Sequence, residues 1–195
     1  MDSAAQEALH RLKEGNGRYA ETRPCLRPWS PEASRDSSPP QILAAILACA
    51  EPDTCPELVF DRMDGTLFVV RTAGPVLDDS TLGSLEFAVA ELGVPLVVVL
   101  GHAGCRAVSA AITRPTATGD LGIVLDAIEP AVLKARHEVG AASARMLERS
   151  IEDHILATAA GLHGSRIIHP YLDEGRVIIV GAVMDPETGR VAWLE

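Results

Sequence analysis

Positive charge is in short supply. Seventeen Lys and Arg face 27 Asp and Glu, for a formal net charge of −10, and no basic run stands out. Such a surface does not attract nucleic acid or an anionic membrane. Long apolar runs are missing as well: no stretch approaches the ~20 residues that a membrane-spanning helix needs. The opening MDSAAQEALHRLKEGN is polar and charged, unlike a secretory signal. Cysteine is sparse, with four in 195 residues. Without a secretory signal, these thiols are expected in the reducing cytoplasm. There, spaced cysteines point to metal binding or catalysis rather than to disulfides. Internal repeats are absent, and the length suits one full-sized core.

What is present divides into an arm and a body. Residues 3–21 read as a helix with Leu9, Leu12 and Tyr19 on a sparse apolar stripe. Residues 22–40 hold five prolines, which makes them an extended arm rather than a domain. Trp29 within it reads either as a clasp on a second subunit or as a loop folded over its own domain. We therefore divide the chain into residues 1–40, a helix and proline-rich arm, and residues 41–195, an α/β body. In the body, apolar runs at 41–49, 66–71, 95–102 and 177–185 read as strands, and 190–195 as a short fifth. Helical patterns fall at 80–93, 105–112, 122–139 and 142–163. The helix at 80–93 would be capped by Asp79 or Ser80 and stopped by Gly93, and Pro130 marks a break or a fresh start. Strands alternating with helices imply a largely parallel sheet with helices on its faces.

In such sheets functional groups gather at the carboxyl ends of strands. Cys49 ends the first strand. In VVVLGHAGCRAV, residues 97–108, His102 ends the third and Cys105 follows. Two thiolates and an imidazole suit zinc, and three protein ligands leave one tetrahedral position open, as in catalytic sites. A blander reading stands beside this one. A lone Cys in a core strand is usually a small hydrophobe, and H-x-x-C matches by accident often. Cys25 and Cys55 are further candidates for a fourth ligand. His137, His154, His163 and His169 lie outside the pattern and read as surface or interface residues, while His10 on the N-terminal helix carries no signal.

These motifs carry a resemblance. The stretch from Ile46 to Val108, beginning ILACAEPDTC and ending GHAGCRAV, resembles the core of a β-class carbonic anhydrase. Cys49, Arg71-Thr72-Ala73-Gly74, Ser84-Leu85-Glu86-Phe87 and His102 with Cys105 match that family's segments in order and spacing. LKEGNGRYA resembles its N-terminal helix end, and GRVIIVGAVMDPETGRVAWL its last strands. The resemblance implies four parallel strands plus one antiparallel, flanked by helices. It implies a homodimer or higher oligomer, with residues 1–40 as the dimerisation arm. It also implies a zinc-dependent lyase in which Cys49, His102 and Cys105 hold Zn²⁺. A zinc-bound hydroxide would then convert CO2 reversibly to bicarbonate.

The departures from the family fall on the chemistry. That family pairs an Asp two residues after the first Cys with an Arg two residues further on. Here these positions are Glu51 and Asp53. A longer carboxylate without a restraining guanidinium can reach the metal, and the Asp53 charge is expected to raise its pKa. Arg106 stands where the family has Gly. It offers a replacement cation, or is merely a solvated residue on a helix turn. Arg71 either organises the cleft or forms a structural ion pair. Three readings follow: a carbonic anhydrase, weak because its pair is altered; a zinc hydrolase or lyase acting on another small electrophile; and a non-catalytic zinc-binding dimer.

Overall fold

A computed structural model describes residues 3–22, 41–113, 117 and 119–194. The arm carrying Cys25 and Trp29 lies outside the described residues. Five strands form one sheet: β1 (Ala44–Cys49), β2 (Leu67–Thr72), β3 (Leu96–His102), β4 (Ile178–Met184) and β5 (Val191–Leu194). Their order is β2-β1-β3-β4-β5. The first four run parallel and β5 pairs antiparallel with β4. Every residue of β1 and β3 is buried. Central strands covered on both faces need unbroken apolar runs, and the sequence supplies AAILAC and LVVVLGH.

One face carries α3 (Asp79–Ala90), α4 (Arg106–Thr113), α5 (Leu121–Val139) and α6 (Met146–Leu162). Leu85, Val108, Ile128 and Ile155 pack there with Leu47 and Val99. The other face carries α1 (Ala4–Ala20) and the short α2 (Pro56–Val59), whose Leu12 and Val59 meet Ile46, Val98 and Leu100. A last short helix, α7 (His169–Asp173), precedes β4. No helix among the described residues is long and apolar enough to cross a membrane.

The end of α1 shows what GNGRY does. A Cβ on Gly15 would lie 1.9 Å from the Phe60 carbonyl oxygen, so only glycine lets the helix approach this closely. Asn16 Nδ2 donates to the carbonyls of Val59 (3.1 Å) and Gly189 (2.8 Å), and its Oδ1 accepts from the Val191 N–H (3.0 Å). Arg18 Nε donates to the buried Asp61 carboxylate at 2.6 Å.

Two local expectations are corrected, and two short helices are added. The cap of α3 is Asp78, whose carboxylate accepts from the Thr81 N–H at 2.7 Å. Pro130 does not interrupt α5, which runs through it. Proline in a helix interior costs about 3 kcal/mol, and the buried Ile128, Ala131 and Val132 around it offset that by packing. The small helices α2 and α7 escaped the pattern because each is too short for a periodicity; both start with proline at their first turn.

Candidate metal centre

Parallel pairing sets the carboxyl ends of β1 and β3 side by side, with Ala48 opposite Leu100. Cys49 and His102 therefore emerge at one edge of the sheet. The turn after β3 returns Cys105 to the same point before α4 begins. All three side chains are buried. The Cys49 and Cys105 sulfurs lie 4.0 Å apart. Ligand atoms of Cys49, Glu51, His102 and Cys105 all fall within 4.8 Å of one another.

The protonation pattern of the cluster suits a cation. Cys49 and Cys105 share a proton. Hydrogen bonding from the Cys105 thiol lowers the Cys49 pKa, while the same bond, together with burial, raises that of Cys105. Burial opposes a proton on His102. The adjacent Cys49 sulfur and the negative charges of Cys49 and Glu51 outweigh burial and raise its pKa. His102 Nδ1 lies 3.1 Å from the Ala103 carbonyl oxygen. An N–H there leaves Nε2 as the lone-pair nitrogen. That Nε2 is buried and has no hydrogen-bond partner. An orphaned imidazole nitrogen facing two thiols is the donor set that a thiophilic divalent metal completes.

The loop after β1 is braced from behind. Arg71 Nε donates to the Cys49 carbonyl at 3.1 Å, and its Nη2 donates to the Glu51 carbonyl at 2.7 Å. Arg71 thus organises the cleft through backbone oxygens and makes no ion pair among the described residues. The Thr54 hydroxyl, fully buried, reaches the same two carbonyls at 2.9 and 3.0 Å. Thr72 Oγ1 donates to the Gly74 carbonyl and accepts from the Val76 N–H, which shapes the next loop. Gly74 adopts φ +59°, and a Cβ there would meet Ile128 at 2.9 Å. Thr54 belongs to no motif, and Thr72 entered only as part of the Arg71–Gly74 segment, so sequence reading assigned a role to neither.

Glu51 and Asp53 part company. Asp53 is exposed, stays out of the cluster and does not raise the Glu51 pKa. Burial alone would raise it, but hydrogen bonds and charge from Arg106 prevail and lower it. Glu51 Oε1 accepts from the Arg106 N–H at 2.7 Å and lies 3.7 Å from His102 Nε2; Oε2 accepts from Arg106 Nε at 2.8 Å. Arg106 is therefore both exposed, at 78%, and paired. Cys55 sits apart at the start of α2, its thiol donating to Glu57. Of the histidines read as surface residues, His154 is a correction. It is buried in α6 with Nε2 unpartnered.

A cavity of about 400 Å³ opens beside the cluster. Cys49, Glu51 and Arg106 form its polar side; Ala73, Ala107 and Leu125 help form its apolar side.

Comparison with known proteins agrees with this geometry. The carbonic anhydrase family model matches residues 44–191. Carbonic anhydrase 2 of Mycobacterium tuberculosis is 37% identical over 191 residues, covering 92% of this chain and 87% of that protein. A carbonic anhydrase of Pseudomonas aeruginosa is 32% identical over 162 residues, covering 78% of this chain and 73% of its own. Among solved structures, a tetrameric β-carbonic anhydrase of Sordaria macrospora superposes with a TM-score of 0.77 at 20% identity, over 96% of this chain and 97% of its own. With fold, edge-of-sheet cluster and relatives in agreement, the chain belongs to the β-carbonic anhydrase family.

Proposed function

We propose that the protein is a zinc-dependent carbonic anhydrase that hydrates CO2 reversibly to bicarbonate. The observation that carries this reading is the convergence of Cys49, His102 and Cys105, with the His102 Nε2 buried and unpartnered. These three residues would hold the ion. Zinc, once bound, supplies a water acidic enough to act as a nucleophile near neutral pH. The chain's own residues supply the rest. The Ala103 carbonyl orients the imidazole, and Arg71 with Thr54 fixes the backbone on which Cys49 and Glu51 sit. The apolar side of the cavity suits a small uncharged substrate. Glu51 and Asp53 in place of the family's Asp and Arg make this a slow member.

The protein is further proposed to act as a homodimer or larger assembly in the cytoplasm, with residues 1–40 contributing to association. Phe87, Leu121 and Ile123 support the first point, each being at least half exposed on the domain surface. Among the described residues Cys49, Cys55 and Cys105 are free thiols, which supports the second.

Stopped-flow CO2 hydration with zinc-loaded protein tests the activity. Hydration above that of the Cys49→Ser variant is expected. Rates equal to that variant would overturn the reading and leave the substrate to be sought among other small electrophiles.

A further inference from the structure

We propose that Arg106 is the positioning residue that keeps the Glu51 carboxylate out of the metal's fourth coordination position, as the cationic half of a pair split between the β1 loop and the start of α4. The inference rests on the reading that Cys49, His102 and Cys105 hold the metal.

Glu51 is close enough to be a ligand. Its carboxylate lies within 4.8 Å of both sulfurs and the imidazole, and Oε1 is 3.7 Å from His102 Nε2. A carboxylate at that range of a zinc ion would coordinate unless something engages it first. Arg106 engages both oxygens. Its backbone N–H donates to Oε1 at 2.7 Å, and its guanidinium Nε donates to Oε2 at 2.8 Å. Each contact is suited to an anion. Arg106 is the first residue of α4, so its N–H has no partner within the helix and sits at the positive end of the helix dipole. The guanidinium contact is a charge-assisted hydrogen bond.

The neighbouring braces do not do this work. Arg71 and Thr54 bind the Glu51 carbonyl, not its carboxylate. They pin the backbone and leave side-chain rotation as the remaining freedom. Arg106 governs that rotation. Its side chain is 78% exposed, and Asp53, exposed on the same loop, adds a competing charge nearby. The restraint is thus screened by water, a latch rather than a buried clamp. Removing the guanidinium leaves one amide N–H on Oε1 and frees Oε2. The carboxylate can then turn inward by its own side-chain torsions, with no change of backbone.

The test uses full-length protein loaded with cobalt(II), whose visible spectrum reports the ligand set, and zinc-edge X-ray absorption on the zinc form. The wild type should show two sulfurs, one nitrogen and an exchangeable light ligand, and its cobalt spectrum should shift when azide is added. Arg106→Ala should show carboxylate ligation and lose the azide response. Arg106→Ala combined with Glu51→Ala should regain that response, and Arg106→Lys should retain part of it. Azide responses equal in wild type and Arg106→Ala, with sulfur ligation intact in both, would overturn the inference alone. So would a wild type that gains the response only when Glu51 is removed. Absence of sulfur ligation in every variant would overturn the metal reading as well. Each readout is spectroscopic, so slow or absent CO2 hydration leaves the test intact.

Discussion

Replacing His154 with glutamine should make the protein less sensitive to mild acid. His154 is buried in α6 with its Nε2 unpartnered. Burial pulls its pKa from 6.5 down to about 4, although a hydrogen bond to the Pro75 carbonyl and the charge of Cys49 work the other way. The folded protein therefore holds this ring neutral at pH values where the unfolded chain protonates it. Stability falls as pH drops from about 6.5 toward 4, because unfolding takes up a proton in that window. At ~1.4 kcal/mol per pKa unit, going from pH 7 to pH 5 costs about 2 kcal/mol through this group alone. Glutamine keeps polarity and does not titrate. The wild type should lose about 2 kcal/mol more than His154→Gln between the two pH values. With a urea slope of about 1–3 kcal/mol/M, that is a difference of roughly 1 M in midpoint shift. Protonation of the thiols and of His102 acts on both proteins and largely cancels in the comparison. Equal losses in the two proteins, or an NMR titration of His154 near 6.5, would refute the reasoning.

Substitutions at Cys49 and Arg71 probe the site. Cys49→Ser should lower zinc from about one ion per chain to a small fraction after desalting, since a hydroxyl is a poor zinc ligand; undiminished metal by elemental analysis would remove Cys49 from the ligand set. Arg71→Ala should weaken zinc binding at least about tenfold in a chelator competition, as loss of groups that orient ligands does. Arg71→Lys should recover only part of that, because one ammonium does not reproduce the fork that spans the Cys49 and Glu51 carbonyls; unchanged affinity would show that Thr54 alone holds the loop.

The sheet was readable because its central strands are covered on both sides, which forces aliphatic runs long enough to see. The cluster of Cys49, His102 and Cys105 was readable because soft donors at and just after the ends of two such runs have few other uses. What stayed hidden depends on distant partners. Glu51 meets Arg106 across 55 positions, and only the altered family pair hinted that the two belong together. His154 follows Glu152 and Asp153, which makes the segment look solvated. Yet Asp153 is itself buried, held by Lys134 from α5 and Arg149 at 2.7 Å each. Thr54 and Thr72 act through backbone carbonyls that no side-chain pattern records. The Asp78 cap was missed by one position, because three of the residues at 78–80 can each play that part.

The Asn16 clamp bears on the order in which the molecule comes together. Two of its partners, Gly189 and Val191, are 173 and 175 residues further along, so α1 is made long before these contacts can form. As the chain leaves the ribosome, α1 lacks these contacts until the turn between β4 and β5 has appeared. Contacts so distant in sequence are slow to form, and the apolar side of α1 stays open to other associations meanwhile. A chain truncated before β5 would lose both the last strand and the fastening of the first helix. Helix α1 and the β4–β5 hairpin therefore mature as a single unit.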